Sequence, residues 1–243
     1  MNRAIINQLV LKEIRESFSG FCLGLFLIGG FTFLSLHSRL IPDFNTLGIL
    51  VMMSIIFALM WGMSPIGGER QAGTIGLLLA LPINPRLFFA VKMIVAMMCV
   101  LLPITLSYLL FSVIASDREI SLQISSRMYL CMSLISVLTL FWTICIGIRQ
   151  PTEARVFLLA MAVYFGGWFI LMILDLLRIA TDALMIKVIA FTPFALMILG
   201  DTGNITPEEK RTLLFAIVFN SLVTVGLNAW AVHRLPKPVK TRG

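Results

Sequence analysis

Six long runs without a charged side chain divide this sequence, near residues 18–36, 47–66, 93–115, 128–148, 156–174 and 213–232. A helix rises about 1.5 Å per residue, so about 20 apolar residues cross the roughly 30 Å hydrocarbon layer of a bilayer. A soluble domain of 243 residues has too little interior to hide six such runs, and 59% of this chain is hydrophobic against 13% charged. The runs therefore read as membrane-spanning helices, and the chain as an all-α integral membrane protein.

The basic residues orient these spans. With the N-terminus inside, 12 Lys and Arg fall on the inner side, at positions 3, 12, 15, 70, 86, 92, 149, 155, 234, 237, 240 and 242, against 7 outside. The positive-inside rule then places both termini in the cytoplasm, which an even number of spans satisfies. This distribution also explains the net charge of +7 without nucleic acid, since the basic residues sit in short loops and at the ends. A thirteen-residue apolar run, 188–200, is too short to cross and holds Pro193. It reads as a re-entrant or interfacial segment on the outer side, before the last span.

The chain thus divides into three regions: an N-terminal helix over 1–17, a six-span domain over 18–232, and a basic cytoplasmic tail over 233–243. In the first, Ile5, Ile6, Leu9, Val10 and Ile14 alternate at helical spacing with Asn7, Gln8, Lys12, Glu13, Arg15 and Glu16. That pattern predicts an amphipathic helix in the membrane interface with one wet face, or a solvated lead-in to the first span. No small-residue cleavage site comes after the first apolar run, so it is expected to stay as an anchor. Thr206-Pro207-Glu208-Glu209 has the order of a helix start. The four cysteines, Cys22, Cys99, Cys131 and Cys145, all lie in apolar runs without a C-x-x-C pair and read as small buried hydrophobes.

Between the second and third spans lies the stretch Gly68 to Lys92, which holds most of the polar chemistry of the first half. It has a charged start at Glu69-Arg70, a Gly73-Thr74 step, an apolar set from Leu77 to Leu81, then Pro82 and Pro85. Prolines end a helix, so the stretch predicts a short amphipathic element on the cytoplasmic surface. Such an element is stiff enough to be pushed, with Leu77, Leu78, Leu79 and Leu81 on an apolar side and Glu69 and Arg70 offered to a soluble partner. The other inner loop, 149–155, reads as a short turn or a minor contact.

This stretch resembles the cytoplasmic loop of ABC-2 type transporter permeases, the six-span subunits of type V ABC exporters. The pattern is an acidic residue, Gly-Thr, a Leu pair, a Pro and a later Lys: here Glu69, Gly73-Thr74, Leu78-Leu79, Pro82 and Lys92. Lys12-Glu13-Ile14-Arg15-Glu16 is similar to the segment that opens many of these permeases. Gly76 departs from the pattern, where many members carry an acid. The resemblance implies a permease subunit of an exporter in the bacterial cytoplasmic membrane, and the charge-free spans suit a hydrophobic or amphipathic substrate. It implies a coupling helix between spans two and three, with Glu69, Arg70, Gly73, Thr74, Leu78, Leu79, Pro82 and Arg86 meeting a separate ABC ATPase subunit. ATP and magnesium belong to that partner, and two permease chains, alike or different, complete the exporter within membrane lipid.

Consistent with a separate motor, the sequence lacks a G-x-x-x-x-G-K-[ST] phosphate loop. A membrane enzyme needs ionisable groups within the bilayer, and the six runs hold none. Neither H-E-x-x-H nor G-x-S-x-G occurs, and His37 and His233 fall at opposite membrane faces, so no catalytic, metal or cofactor residue is expected. A non-transporting scaffold or assembly factor is the alternative, and the Glu69–Arg86 stretch is what separates the two readings. Ser54, Thr105, Ser107, Tyr108, Ser133, Ser136, Thr139, Trp142 and Thr143 suit an amphipathic cargo, or else satisfy themselves by hydrogen bonds in the bundle.

Overall fold

A computed structural model describes residues 3–31, 33, 43–69, 73, 85–114, 122–148, 150–177 and 207–234. Among them the regular secondary structure is all helical, with no strand. The long helices are α1 (Arg3–Gly24), α2 (Asp43–Met63), α3 (Pro85–Ile114), α4 (Leu122–Gly147), α5 (Glu153–Leu176) and α6 (Pro207–Arg234). Three stretches within them, Leu87–Leu110, Tyr129–Gly147 and Lys210–Trp230, are long and apolar enough to cross a membrane, and Leu50–Ile66 is a shorter apolar helix. The expected outer re-entrant segment at 188–200 lies outside the described residues, as do residues 70–72 and 74–84 of the loop 67–92 expected to hold the coupling helix.

Side-chain contacts give the helix directions. Lys12 meets Glu69, and the backbones of Gly20 and Gly24 lie against Trp61 and Phe57, so α1 and α2 run antiparallel. Trp142 meets Thr224 and Cys145 meets Asn228, so α4 and α6 run parallel. The start of α1, the start of α5 and the end of α6 consequently lie at one end of the bundle. Helix α4 is the axis, packing against α2, α3, α5 and α6. Its Ile135, Leu140, Ile144, Cys131 and Cys145 are buried against Ile55, Ala58 and Leu59 of α2 and Val100 and Ile104 of α3. The cysteines of α3 and α4 are buried and free as expected, whereas Cys22 is exposed on α1.

Four hydroxyls of the bundle turn inward on their own backbone. Ser54 donates to the Val51 carbonyl, Thr105 to Leu101, Thr139 to Ile135 and Thr143 to Thr139, at 2.7–2.8 Å. Of the two uses open to these residues, internal satisfaction describes these four. Helix α6 is held differently. Its Ala216, Asn220, Thr224 and Asn228 recur every fourth position, the spacing that makes one face. On that face Trp142 Nε1 donates to Thr224 Oγ1 at 2.9 Å.

Two departures from the sequence reading concern helix ends. The expected interfacial helix over 1–17 and the first span are one rod, because α1 runs unbroken through residue 17 and continues in a π turn, Leu25–Gly29. Its Leu9, Glu13, Ser17, Gly24 and Ile28 form a buried stripe, while Leu11, Ile14 and Phe18 point outward. The polarity pattern puts Ile14 inside and Glu13 in water; packing reverses them. Helix α3 begins at Pro85, not near 93, because proline is well suited to a first helical position. Lys92 therefore lies two turns inside the helix, only 3% exposed, and a charged residue belongs to the apolar stretch Leu87–Leu110.

Candidate functional site

Where α1, α2 and α3 meet, five charged side chains converge. The Lys92 ammonium lies 2.7 Å from Glu13 Oε1 and 3.1 Å from Glu69 Oε1. Lys12 donates to the same Glu69 oxygen at 2.9 Å and lies 3.6 Å from Glu16. The contact with Glu69 is a directed hydrogen bond from each lysine, while Lys92 and Glu13 form a close ion pair without that geometry. The Lys92 ammonium also lies 5.2 Å from the centre of the Phe88 ring, a cation–π contact one helical turn back. Taking an ion out of water costs several kcal/mol, so Lys92 is tolerable at this depth only because carboxylates from two other helices face it.

The wide turn at the end of α2 brings Glu69 into this group. Residues Ser64–Gly68 form a π turn, and Pro65 within it has no N–H for the regular ladder. A π turn takes about one residue more than an α turn, which rotates every later residue by roughly 100°. On an unbroken helix Glu69, eight positions after Trp61, would sit roughly 80° around from it. With the wide turn the two share the face that looks at α1.

Lys12 is partly exposed. Burial pulls its pKa down, but the hydrogen bond and charge of Glu69, with the charges of Glu16 and Glu13, outweigh burial and raise it above the usual 10.5. A raised folded-state value means that this tie stabilises the fold fully below about 10.5 and is lost only as pH climbs through the raised value. It therefore holds across the neutral range.

Beside the charges opens a cavity of about 460 Å³ between α1, α2 and α3. One end is lined by the five charged residues, with Ser17, Ser19 and Ser64, and the other by Leu23, Phe57, Met60, Trp61, Val95 and Ala96. The aromatic wall depends on two glycines of α1. A Cβ at Gly20 would stand 2.8 Å from the Trp61 ring, and one at Gly24 would overlap the ring of Phe57. Trp61 and Phe57 meet edge to face, with centroids 6.2 Å apart.

Of the residues expected to couple to a partner, Glu69 is the one whose side chain the structure describes, and it is not offered to solvent. It is 9% exposed and faces the lysines. Gly73 has φ of 71°, the left-handed region that glycine enters without steric cost, so the chain turns there. Arg86 is the second residue of α3. Arg70, Thr74, Leu78, Leu79 and Pro82 lie outside the described residues. The loop 149–155 does touch this region: the Glu153 carboxylate lies so close to Gly68 that a Cβ there would come within 2.7 Å of it.

Sequence reasoning missed Glu13 and Lys92 as partners, and it missed Trp61. A signal was present in the spacing Leu9, Glu13, Ser17, Gly24, Ile28, a stripe recurring at four- and seven-residue steps and richer in small and polar groups than the face beside it. The acids Glu13, Glu16 and Glu69 lie close enough together to resemble a metal site, but Lys12 and Lys92 already occupy that ground. Comparison with protein-family models and with curated proteins finds no match for this chain.

Proposed function

We propose that the chain is the membrane-spanning permease subunit of an ATP-driven exporter, of the ABC-2 type that its loop resembles. It moves a hydrophobic or amphipathic substrate across the bacterial cytoplasmic membrane, while a separate subunit hydrolyses ATP and docks on the loop 67–92. The observation that supports this reading best is the burial of Glu69 between Lys12 and Lys92. Glu69 closes α2 at the threshold of the loop, and its two partners stand on α1 and α3. A push on the loop is therefore delivered to three helices at once, through bonds that resist sliding. In this reading Glu69 is a transmitting residue inside the bundle and not a contact for the motor. The bundle end that collects the start of α1, Gly68, Glu153 and the end of α6 is then the cytoplasmic one, in keeping with the basic residues there.

Purification from native membranes in mild detergent, followed by mass spectrometry, tests the partner. An ATPase subunit at equal stoichiometry is the expected companion, and its absence under conditions that preserve other complexes would transfer the weight to a membrane scaffold. In the reconstituted complex, Glu69→Gln should leave insertion and basal ATPase activity in place and reduce transport-coupled turnover roughly tenfold, within the range of ordinary site-to-site coupling. Full coupling in that variant would sink the transmitting role.

A further inference from the structure

The cavity between α1, α2 and α3 has the build of a ligand site. At about 460 Å³ it falls within the roughly 300–1,000 Å³ of ordinary small-molecule pockets. Its polarity is graded along the helices: charged residues and serines at one end, then Leu23, Phe57, Met60 and Trp61. The rim is accessible along both edges, since Glu16, Ser19 and Leu23 of α1 and Met60 and Ser64 of α2 are exposed. A slot that is polar at one end and apolar at the other accepts a molecule of the same polarity.

The charges decide its sign. Among the described residues the lining carries three carboxylates, Glu13, Glu16 and Glu69, against two ammonium groups, Lys12 and Lys92. Glu13 and Glu69 are buried and engaged by Lys92, and Glu69 by Lys12 as well. Glu16 is left with Lys12 at 3.6 Å, across an exposed i,i+4 pair whose side chains are 38% and 57% accessible. Exposed pairs of that kind are worth little, so the Glu16 carboxylate is available at the mouth. Close by, Trp61 lies against Gly20 and presents an aromatic surface to the same cavity, a favourable neighbour for a cation.

We infer that this cavity binds an amphipathic monocation, a lipophilic amine whose ammonium head pairs with Glu16 and whose tail lies against Leu23, Met60 and Trp61. The inference concerns binding to this chain alone and does not need the exporter reading. Decylamine, decanol and decanoate share one tail and carry positive, neutral and negative heads, so they are the probes. Binding to the full chain in zwitterionic-lipid nanodiscs, by calorimetry against empty nanodiscs, should be saturable for decylamine and weak for decanoate. Glu16→Gln should weaken decylamine about tenfold and leave decanol unchanged, since it removes a charge at an exposed position. Ser19→Trp, which fills the rim without touching a charge, should abolish decylamine binding. Decanoate bound as tightly as decylamine overturns the inference, as does decylamine binding that neither variant alters, which is partition into lipid. Because no ATPase partner is present in the assay, either result leaves the exporter reading where it stood.

Discussion

Lys92 shows how one side chain is held where its solvation alone would forbid it. Its ammonium has Glu13 at 2.7 Å and Glu69 at 3.1 Å, so removing it strands two buried carboxylates with one lysine between them. Lys92→Met should cost about 3–5 kcal/mol, the usual penalty for breaking one side of a buried pair. Thermal unfolding of the detergent-solubilised chain measures it. The double change Lys92→Met with Glu13→Leu should recover part of that loss, because the stranded charge goes with its partner. If the double variant were no more stable than the single one, the pair would not be the cause. None of this was legible at Glu13, which by composition alone belongs with Lys12 and Arg15 on a wet face. Periodicity ranks side chains by polarity and cannot know that a lysine on a third helix is waiting for the carboxylate.

At the scale of elements, α6 is the helix least secured by its neighbours. Little of its apolar stretch Lys210–Trp230 is buried, and its main packing is on α4. The tie from Trp142 Nε1 to Thr224 Oγ1 is therefore a large share of what fixes its register. Thr224→Val keeps the shape, removes the acceptor, and should cost about 0.5–1.5 kcal/mol. It should also speed amide exchange along α6 selectively, whereas uniform exchange across α4 and α6 would mean that the bond does not set the register. The helix itself was legible, since Pro207 with acids behind it marks its start, and α6 does begin at Pro207. The π turn at Ser64–Gly68 was not, because a proline beside glycines signals only a break, and which way the chain turns afterwards depends on Trp61 and α1.

Across the whole molecule, helical character was readable from sequence, whereas helix partnership was not, and among the described residues three of the six expected spans are long and apolar enough to cross a membrane. Charge-free runs announce that a segment is a helix, but which helices touch is settled by small residues such as Gly20 and Gly24, whose role is visible only with Trp61 and Phe57 against them. Contacts collect the start of α1, Gly68 and the start of α5 at one end. Cysteines placed at Arg15 and Arg155 in a cysteine-free background should thus react with a membrane-impermeant thiol reagent from the same face, in vesicles of either orientation. Labelling from opposite faces would contradict the bundle. The buried charge cluster also bears on how the protein is made. Glu13 leaves the ribosome with the first helix, and Lys92 emerges only with the third. Until then its carboxylate is without the ammonium that lies 2.7 Å from it in the folded chain, so α1 is expected to wait at the headgroups and settle to its final depth only once α3 arrives. Assembly would then be ordered by electrostatic pairing as much as by the sequence in which hydrophobic segments emerge.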